Sequence, residues 1–157
     1  GFMQDKDEAV RLYTQHLIAG MESDLYAYVC HPDLFMKLIG HWNETCEECS
    51  RTIIETAVKT GVPLEINMTP SRTELNFDEK GNRVFSYPND NFWELVSKSK
   101  AKCIIGVDAH APEHLYNSDF TAIRQFIKRH HLKPMKKIDI DSYREKLFKR
   151  YGLDKNH

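Results

Sequence analysis

Metal-capable side chains follow predicted strands at three places in the chain, and the clearest is "KCIIGVDAHAPEHL", residues 102–115. There an apolar run from Cys103 to Val107 is followed by Asp108 and His110. Residues two apart point to the same side of extended backbone, so this carboxylate and this imidazole can bind one divalent ion or two adjacent ones. The alternative is a strand-end turn in which the aspartate caps the following segment.

Two further predicted strands end in polar residues. In "YVCHPDLF", His31 follows an apolar strand and Pro32 fixes the backbone behind it, which suits a metal ligand; a histidine bonded to a backbone carbonyl is the ordinary alternative. In "LEINMTPSR", Glu65 and Asn67 alternate with apolar residues and face either an interior or the solvent. Arg72 carries a planar guanidinium suited to bidentate phosphate capture, although a solvated loop arginine is the commoner case.

The elements that must position these residues alternate between helix and strand. The pattern predicts helices over 5–22, 43–60, 118–131 and 141–151, a helix from residue 89 or 90, strands over 24–30, 62–68 and 102–107, a hairpin in "FDEKGNRVF" and a possible strand in "KPMKKIDI". Such alternation predicts an α/β fold with a mostly parallel sheet, in which chemistry gathers at the carboxyl ends of the strands.

Length and composition set the outer limits. A chain of 157 residues is enough for one domain, and 41% hydrophobic residues are typical of a globular protein. The net charge of -1 gives no bias toward nucleic acid or anionic membranes. No apolar run approaches the roughly 18 residues of a membrane span, and no signal peptide opens the chain, so we expect no membrane partner and a cytoplasmic location.

The remaining cysteines and histidines are predicted to be structurally ordinary. Cys46 and Cys49 form a C-x-x-C in a helical context, which predicts two neighbouring surface thiols, and no second ligand pair for zinc is present. Five histidines on helices or near the termini are predicted to lie at the surface: His16, His41, His130, His131 and His157.

Together these segments resemble a known family. "YVCHPDLF", "PLEINMTPSR", "YPND" at 87–90 and "IIGVDAHAPEHL" occur in the order and spacing of the PHP (polymerase and histidinol phosphatase) metallohydrolases, and are most similar to the histidinol-phosphatase branch. The resemblance implies a distorted (β/α)7 barrel with two or three divalent metals at the carboxyl ends of its strands. It implies that His31, Asp108 and His110 bind metal, that Asp108 and His110 are catalytic, and that Arg72 contacts the substrate phosphate.

The activity implied by the resemblance is metal-dependent hydrolysis of a small phosphate monoester, L-histidinol phosphate, to histidinol and phosphate in histidine biosynthesis. Zinc, manganese and iron all suit two imidazoles and a carboxylate. Two alternatives stay open: a related phosphoesterase with another phosphate substrate, and an inactive half-barrel or interaction module.

One part of the family pattern cannot be placed. The family opens with an H-x-H motif, a further histidine, a bridging glutamate and another histidine, whereas His16 is the only histidine before His31 in this chain. We therefore expect residues 1–157 to be a single segment from the C-terminal part of the barrel, inactive alone in the reaction of the longer protein. An uncovered sheet edge would then favour self-association, or pairing with the missing N-terminal segment.

Overall fold

A computed structural model describes residues 1–153 and shows a mixed α/β arrangement around a small parallel sheet. Within that range eight helices and four short strands follow one another. They are α1 Phe2–Glu22, α2 Phe35–Ile39, α3 Glu44–Thr60, β1 Leu64–Asn67, α4 Thr69–Thr73, β2 Asn76–Phe77, β3 Arg83–Val84, α5 Asp90–Ser97, β4 Cys103–Gly106, α6 Glu113–Tyr116, α7 Thr121–Arg129 and α8 Ile140–Tyr151.

The centre of the fold is the parallel pair β1 and β4, with Leu64 opposite Cys103 and Asn67 opposite Gly106. Two predicted outer strands, 24–30 and "KPMKKIDI", are reduced to single parallel bridges, from Val29 to β1 and from Met135 to β4. Within the described range, each outer segment forms a backbone bridge to one neighbouring strand only, so few hydrogen bonds hold it in a regular strand conformation. The order of the four segments still agrees with the predicted parallel sheet.

The predicted helix over 43–60 is confirmed, and its boundaries follow from its end residues. The side chain of Asn43 accepts a hydrogen bond from the Cys46 N–H at 2.9 Å, and Gly61 ends the helix at a φ of 72°. The same device begins α5, where Asn89 accepts from the N–H groups of Asn91 and Phe92. The predicted hairpin is also present as β2 and β3.

Helices α1, α3 and α5 supply much of the apolar core, which also contains Leu64 and Ile66 of β1. The core is built from long aliphatic and aromatic side chains that are removed from solvent almost completely. Its largest members include Val10, Met21, Ile53, Leu64, Ile66, Phe92 and Trp93. The opposite side of β1 carries Glu65 and Asn67, which are also buried. Apolar and polar side chains therefore alternate along β1, with Leu64 and Ile66 in the apolar core and Glu65 and Asn67 on the opposite face.

Two predictions about the surface are wrong. Cys46 and Cys49 lie in the core at 0% and 6% exposure, because they share the buried face of α3 with Ser50. His130 is 7% exposed and lies between Asp90 and Glu94, at 2.6 and 3.2 Å. Three of the other predicted surface histidines are exposed, namely His16, His41 and His131. His157 lies outside the described residues.

Shorter features complete the fold. The helices α2, α4 and α6 were not predicted from the sequence, because four or five residues give no periodicity. The last helix lies where it was expected, although Asp139 caps it through the Ser142 N–H in place of Asp141. Among residues 1–153, no helix is both long enough and apolar enough to cross a membrane.

Candidate functional site

The carboxyl ends of three neighbouring parallel segments meet at one edge of the sheet. His31 follows Val29, Asn67 ends β1, and Asp108 follows β4 by two residues. Parallel pairing places these ends side by side, which is where open α/β sheets bind their ligands. The structure thus brings together the strand-end residues that the sequence singled out separately.

The backbone is left-handed at two of the three predicted metal ligands. His31 has a φ of 31° and Asp108 a φ of 50°, a region that residues with a β-carbon seldom adopt. Each such residue costs on the order of 1–3 kcal/mol and persists only where its surroundings hold it. Asp108 is therefore not extended, and the alternation expected for it and His110 is not what brings them together.

The main chain of His31 is held from both sides. Its N–H donates to Glu65 Oε2 at 2.8 Å, and its carbonyl accepts a hydrogen bond from the Tyr13 hydroxyl at 2.8 Å. The imidazole lies edge-on to the ring of Tyr87, with 6.1 Å between centroids. Its Nδ1 atom is buried and has no hydrogen-bond partner among the described residues. A buried polar atom without a partner is costly, and a bound ligand would remove that cost.

A chain of buried polar side chains crosses from β1 to Asp108. The Asn67 amide nitrogen donates to Glu65 Oε2 at 3.0 Å and to Asp108 Oδ2 at 3.1 Å. The Thr69 hydroxyl donates to the same Asp108 oxygen at 2.9 Å. Glu65 and Asn67 are only 3% and 1% exposed. The sequence had placed them after or within a strand without assigning them a role.

The carboxylate of Asp108 is kept ionised. Partial burial acts to raise its pKa, but hydrogen bonds from Asn67 and Thr69 and the positive potential of His110 and His31 hold the pKa below its usual value. Both donors use Oδ2, and no described residue donates to Oδ1. Oδ1 lies 3.7 Å from His110 Nδ1. This oxygen is therefore the one that can bind a cation.

His110 is fixed in one tautomer by its own loop. Nδ1 lies 2.8 Å from the Asp108 carbonyl oxygen, so it carries the proton and donates. The His110 N–H in turn donates to His114 Nδ1 at 3.1 Å. In the neutral form of the imidazole this leaves Nε2 without a proton, on a side chain that is 69% exposed, as a metal-binding imidazole requires.

Arg72 binds main-chain carbonyls at the same turn. Its guanidinium donates to the carbonyl oxygens of Val107 and Asp108 at 2.7 and 2.9 Å, and to the Thr69 hydroxyl at 3.1 Å. It also lines a cleft of about 300 Å³, which Arg83 and His114 line as well. The buried Nε of Arg83 has no hydrogen-bond partner in the described part of the chain.

A second buried carboxylate, that of Asp33, connects the loop of His31 to α5 by hydrogen bonds. Asp33 is 1% exposed and accepts hydrogen bonds from the Asn89 N–H at 2.6 Å and the Trp93 indole at 3.2 Å. Burial raises its pKa to about 7, although these hydrogen bonds act to lower it. Asp33 thereby joins the loop after Val29 to the start of α5.

The donor types suit a divalent metal, but the described residues do not form a complete site. One carboxylate oxygen, one exposed Nε2 and one buried Nδ1 without a partner are available from Asp108, His110 and His31. Yet within residues 1–153 no three side chains of His, Cys, Asp or Glu are close enough together to hold one ion. Asp108 and His110 are close together, and further oxygen or nitrogen ligands would have to complete the shell.

Comparisons of the chain with protein-family models, curated proteins and solved structures find no match. The resemblance to the PHP family therefore rests on the sequence motifs alone.

Proposed function

We propose that this chain forms part of the active centre of a PHP-type phosphoesterase, one that hydrolyses a small phosphate monoester with the help of divalent metal ions. The observation that supports this most directly is the strand-end cluster. His31 and Asp108 have left-handed backbones at the ends of the two segments that flank β1, and the buried Nδ1 of His31 lacks a partner among the described residues. The complete fold would be the distorted barrel that the family resemblance implies.

Each residue of this chain has a defined part in the proposal. His31, Asp108 and His110 would hold zinc, manganese or iron, which when bound would supply Lewis acidity toward water and the phosphoryl oxygens. Asp108 contributes an ionised carboxylate, and Oδ2 keeps its hydrogen bonds to Asn67 and Thr69. His110 contributes Nε2, because its Nδ1 proton is committed to the Asp108 carbonyl.

The substrate phosphate has a candidate position beside the strand ends. Arg72 and Arg83 line one cleft of about 300 Å³, at the lower end of the size range of small-molecule pockets. The Arg72 guanidinium has N–H groups beyond the three hydrogen bonds that it makes to the turn. L-Histidinol phosphate is the substrate we propose, with another sugar or nucleotide phosphate as the alternative.

Hydrolysis assays test this function. A longer protein that contains this chain should release phosphate from L-histidinol phosphate in the presence of manganese or zinc, faster than from a panel of sugar and nucleotide phosphates, and should lose activity in EDTA. Asp108→Asn should abolish the activity, whereas Asp141→Asn on exposed α8 should not. Equal activity of the Asp108→Asn variant would refute the proposed centre.

The 157-residue chain alone provides a further test. Because its described residues do not complete a metal shell, we expect little or no turnover of histidinol phosphate. Rapid turnover, with the chain length confirmed by intact mass, would contradict the incomplete-centre proposal.

A second candidate function is an interaction module without activity of its own. Exposed apolar side chains beside the Val29 edge favour it, since Leu25 is 56% and Tyr28 is 37% exposed. Metal binding that depends on Asp108 would favour the phosphoesterase, and association without such binding would favour the module.

A further inference from the structure

Two polar side chains lie in β1, a strand that is buried along its whole length. All four residues of β1 are buried, and two of them are Glu65 and Asn67. Glutamate and asparagine are seldom buried this deeply unless they are hydrogen-bonded. Their partners here belong to the two flanking loops at the strand ends, so burial of these groups links the loops to each other.

The link runs through two shared atoms. Glu65 Oε2 accepts both the His31 main-chain N–H and one Asn67 amide N–H, at 2.8 and 3.0 Å. The Asn67 amide nitrogen also donates to Asp108 Oδ2 at 3.1 Å. Because Asn67 in turn accepts the Thr69 N–H at 2.9 Å through Oδ1, its amide plane is fixed. Both side chains are thus held in place by the bonds that they make.

The residues at the two ends of this link have left-handed backbones. His31 and Asp108 would relax toward ordinary backbone angles if nothing held them. Gly106 leaves the space in which the Glu65 carboxylate lies, since a β-carbon there would approach Oε1 to 1.7 Å. The sequence of β4 therefore accommodates the link.

We propose that Glu65 and Asn67 are positioning residues, which fix His31 relative to Asp108 through the hydrogen-bond chain His31 N–H, Glu65, Asn67, Asp108. This inference rests on the proposed function, in which His31 and Asp108 hold metal. We assign Glu65 the role of acceptor, because Oε2 takes two donors and Oε1 lies against the backbone of β4 at Gly106. The charge of Glu65 is therefore dispensable, and its acceptor oxygen is not.

Conservative variants separate these roles. In Glu65→Gln the amide oxygen can take the place of Oε2, so affinity for Mn²⁺ measured by isothermal titration should stay at the wild-type value. Glu65→Ala and Asn67→Ser should weaken Mn²⁺ binding by about 10–100-fold, the usual effect of losing a group that orients a ligand. Ser50→Ala removes a buried hydroxyl without a partner in the core and should leave the affinity unchanged.

Equal losses for Glu65→Gln and Glu65→Ala would overturn the proposal in favour of a metal ligand, and so would wild-type affinity in Asn67→Ser. Should Glu65→Ala not fold, Glu65→Gln and Asn67→Ser still decide between these results. NMR gives a readout without metal. In the wild type and in Glu65→Gln, the His31 amide proton should resonate downfield and exchange slowly with solvent. It should lose both features in Glu65→Ala, and its resonance should shift in Asn67→Ser. If the wild type binds no Mn²⁺, the proposed function fails, and an unchanged His31 amide signal in Asn67→Ser refutes the positioning role separately.

Discussion

Gly106→Ala should destabilise the protein far more than an alanine substitution usually does. A β-carbon at position 106 would lie 1.7 Å from Glu65 Oε1 and 2.4 Å from its Cδ, so the carboxylate must move. Glu65 is buried and bonded to His31 and Asn67, so it cannot move without breaking one of these bonds. Overpacking costs about 1–3 kcal/mol, and one hydrogen bond to a charged group about 1.5–3 kcal/mol.

These terms predict a loss of roughly 2.5–6 kcal/mol of unfolding free energy, a large share of the 5–15 kcal/mol of an ordinary domain. Urea unfolding followed by tryptophan fluorescence measures it. Gly20→Ala is the matched control, since its β-carbon meets the ring of Tyr26, which is 38% exposed and can turn into solvent. That variant should change stability by no more than about 1 kcal/mol. A Gly106→Ala midpoint equal to that of the wild type would refute the placement of Glu65 against β4.

Three other predictions follow from single features. The pKa of Asp33 is raised from 3.8 to about 7, so its contribution to stability is fully present below pH 3.8 and is lost as pH rises toward 7. Asp33→Asn should therefore be more stable than the wild type at pH 8, and a less stable variant at that pH would contradict this. Asn43→Ala should cost about 1 kcal/mol in urea unfolding through loss of the α3 cap, whereas no change would mean that the cap is not used. The isolated chain should self-associate through its uncovered sheet edges, and light scattering that shows a monomer resistant to dilution would exclude this.

The elements of the fold were predictable where end residues and periodicity agree. Asn43 and Gly61 mark both ends of α3 in the sequence, and the structure uses both. The wrong assignments were avoidable by the same reasoning. Cys46 and Cys49 fall on the helical stripe that continues to Ile53, and His130 continues the stripe of Ile123 and Phe126, so periodicity indicates burial for all three.

The detail of the site was not predictable from one sequence. Alternation along β1 could not decide whether Glu65 and Asn67 face an interior or solvent, because that depends on what packs against the strand. The left-handed backbone at His31 and Asp108 could not be predicted, because neither residue is a glycine. It is held by tertiary hydrogen bonds to Glu65, 34 positions from His31, and to Asn67, 41 positions from Asp108. Sequence indicated which residue types stand at the strand ends, and tertiary contacts determine how they are joined.

Isothermal titration of the chain with Mn²⁺ or Zn²⁺ tests the central claim most directly. We predict weak binding, since Asp108 and His110 lie close together but the described residues bring no third such ligand near enough to hold the same ion, and we predict its loss in His110→Ala. His16→Ala, an exposed histidine in the middle of α1, is the control and should bind as the wild type does. Binding that is unchanged in His110→Ala, or that disappears equally in His16→Ala, would contradict a metal centre at these strand ends.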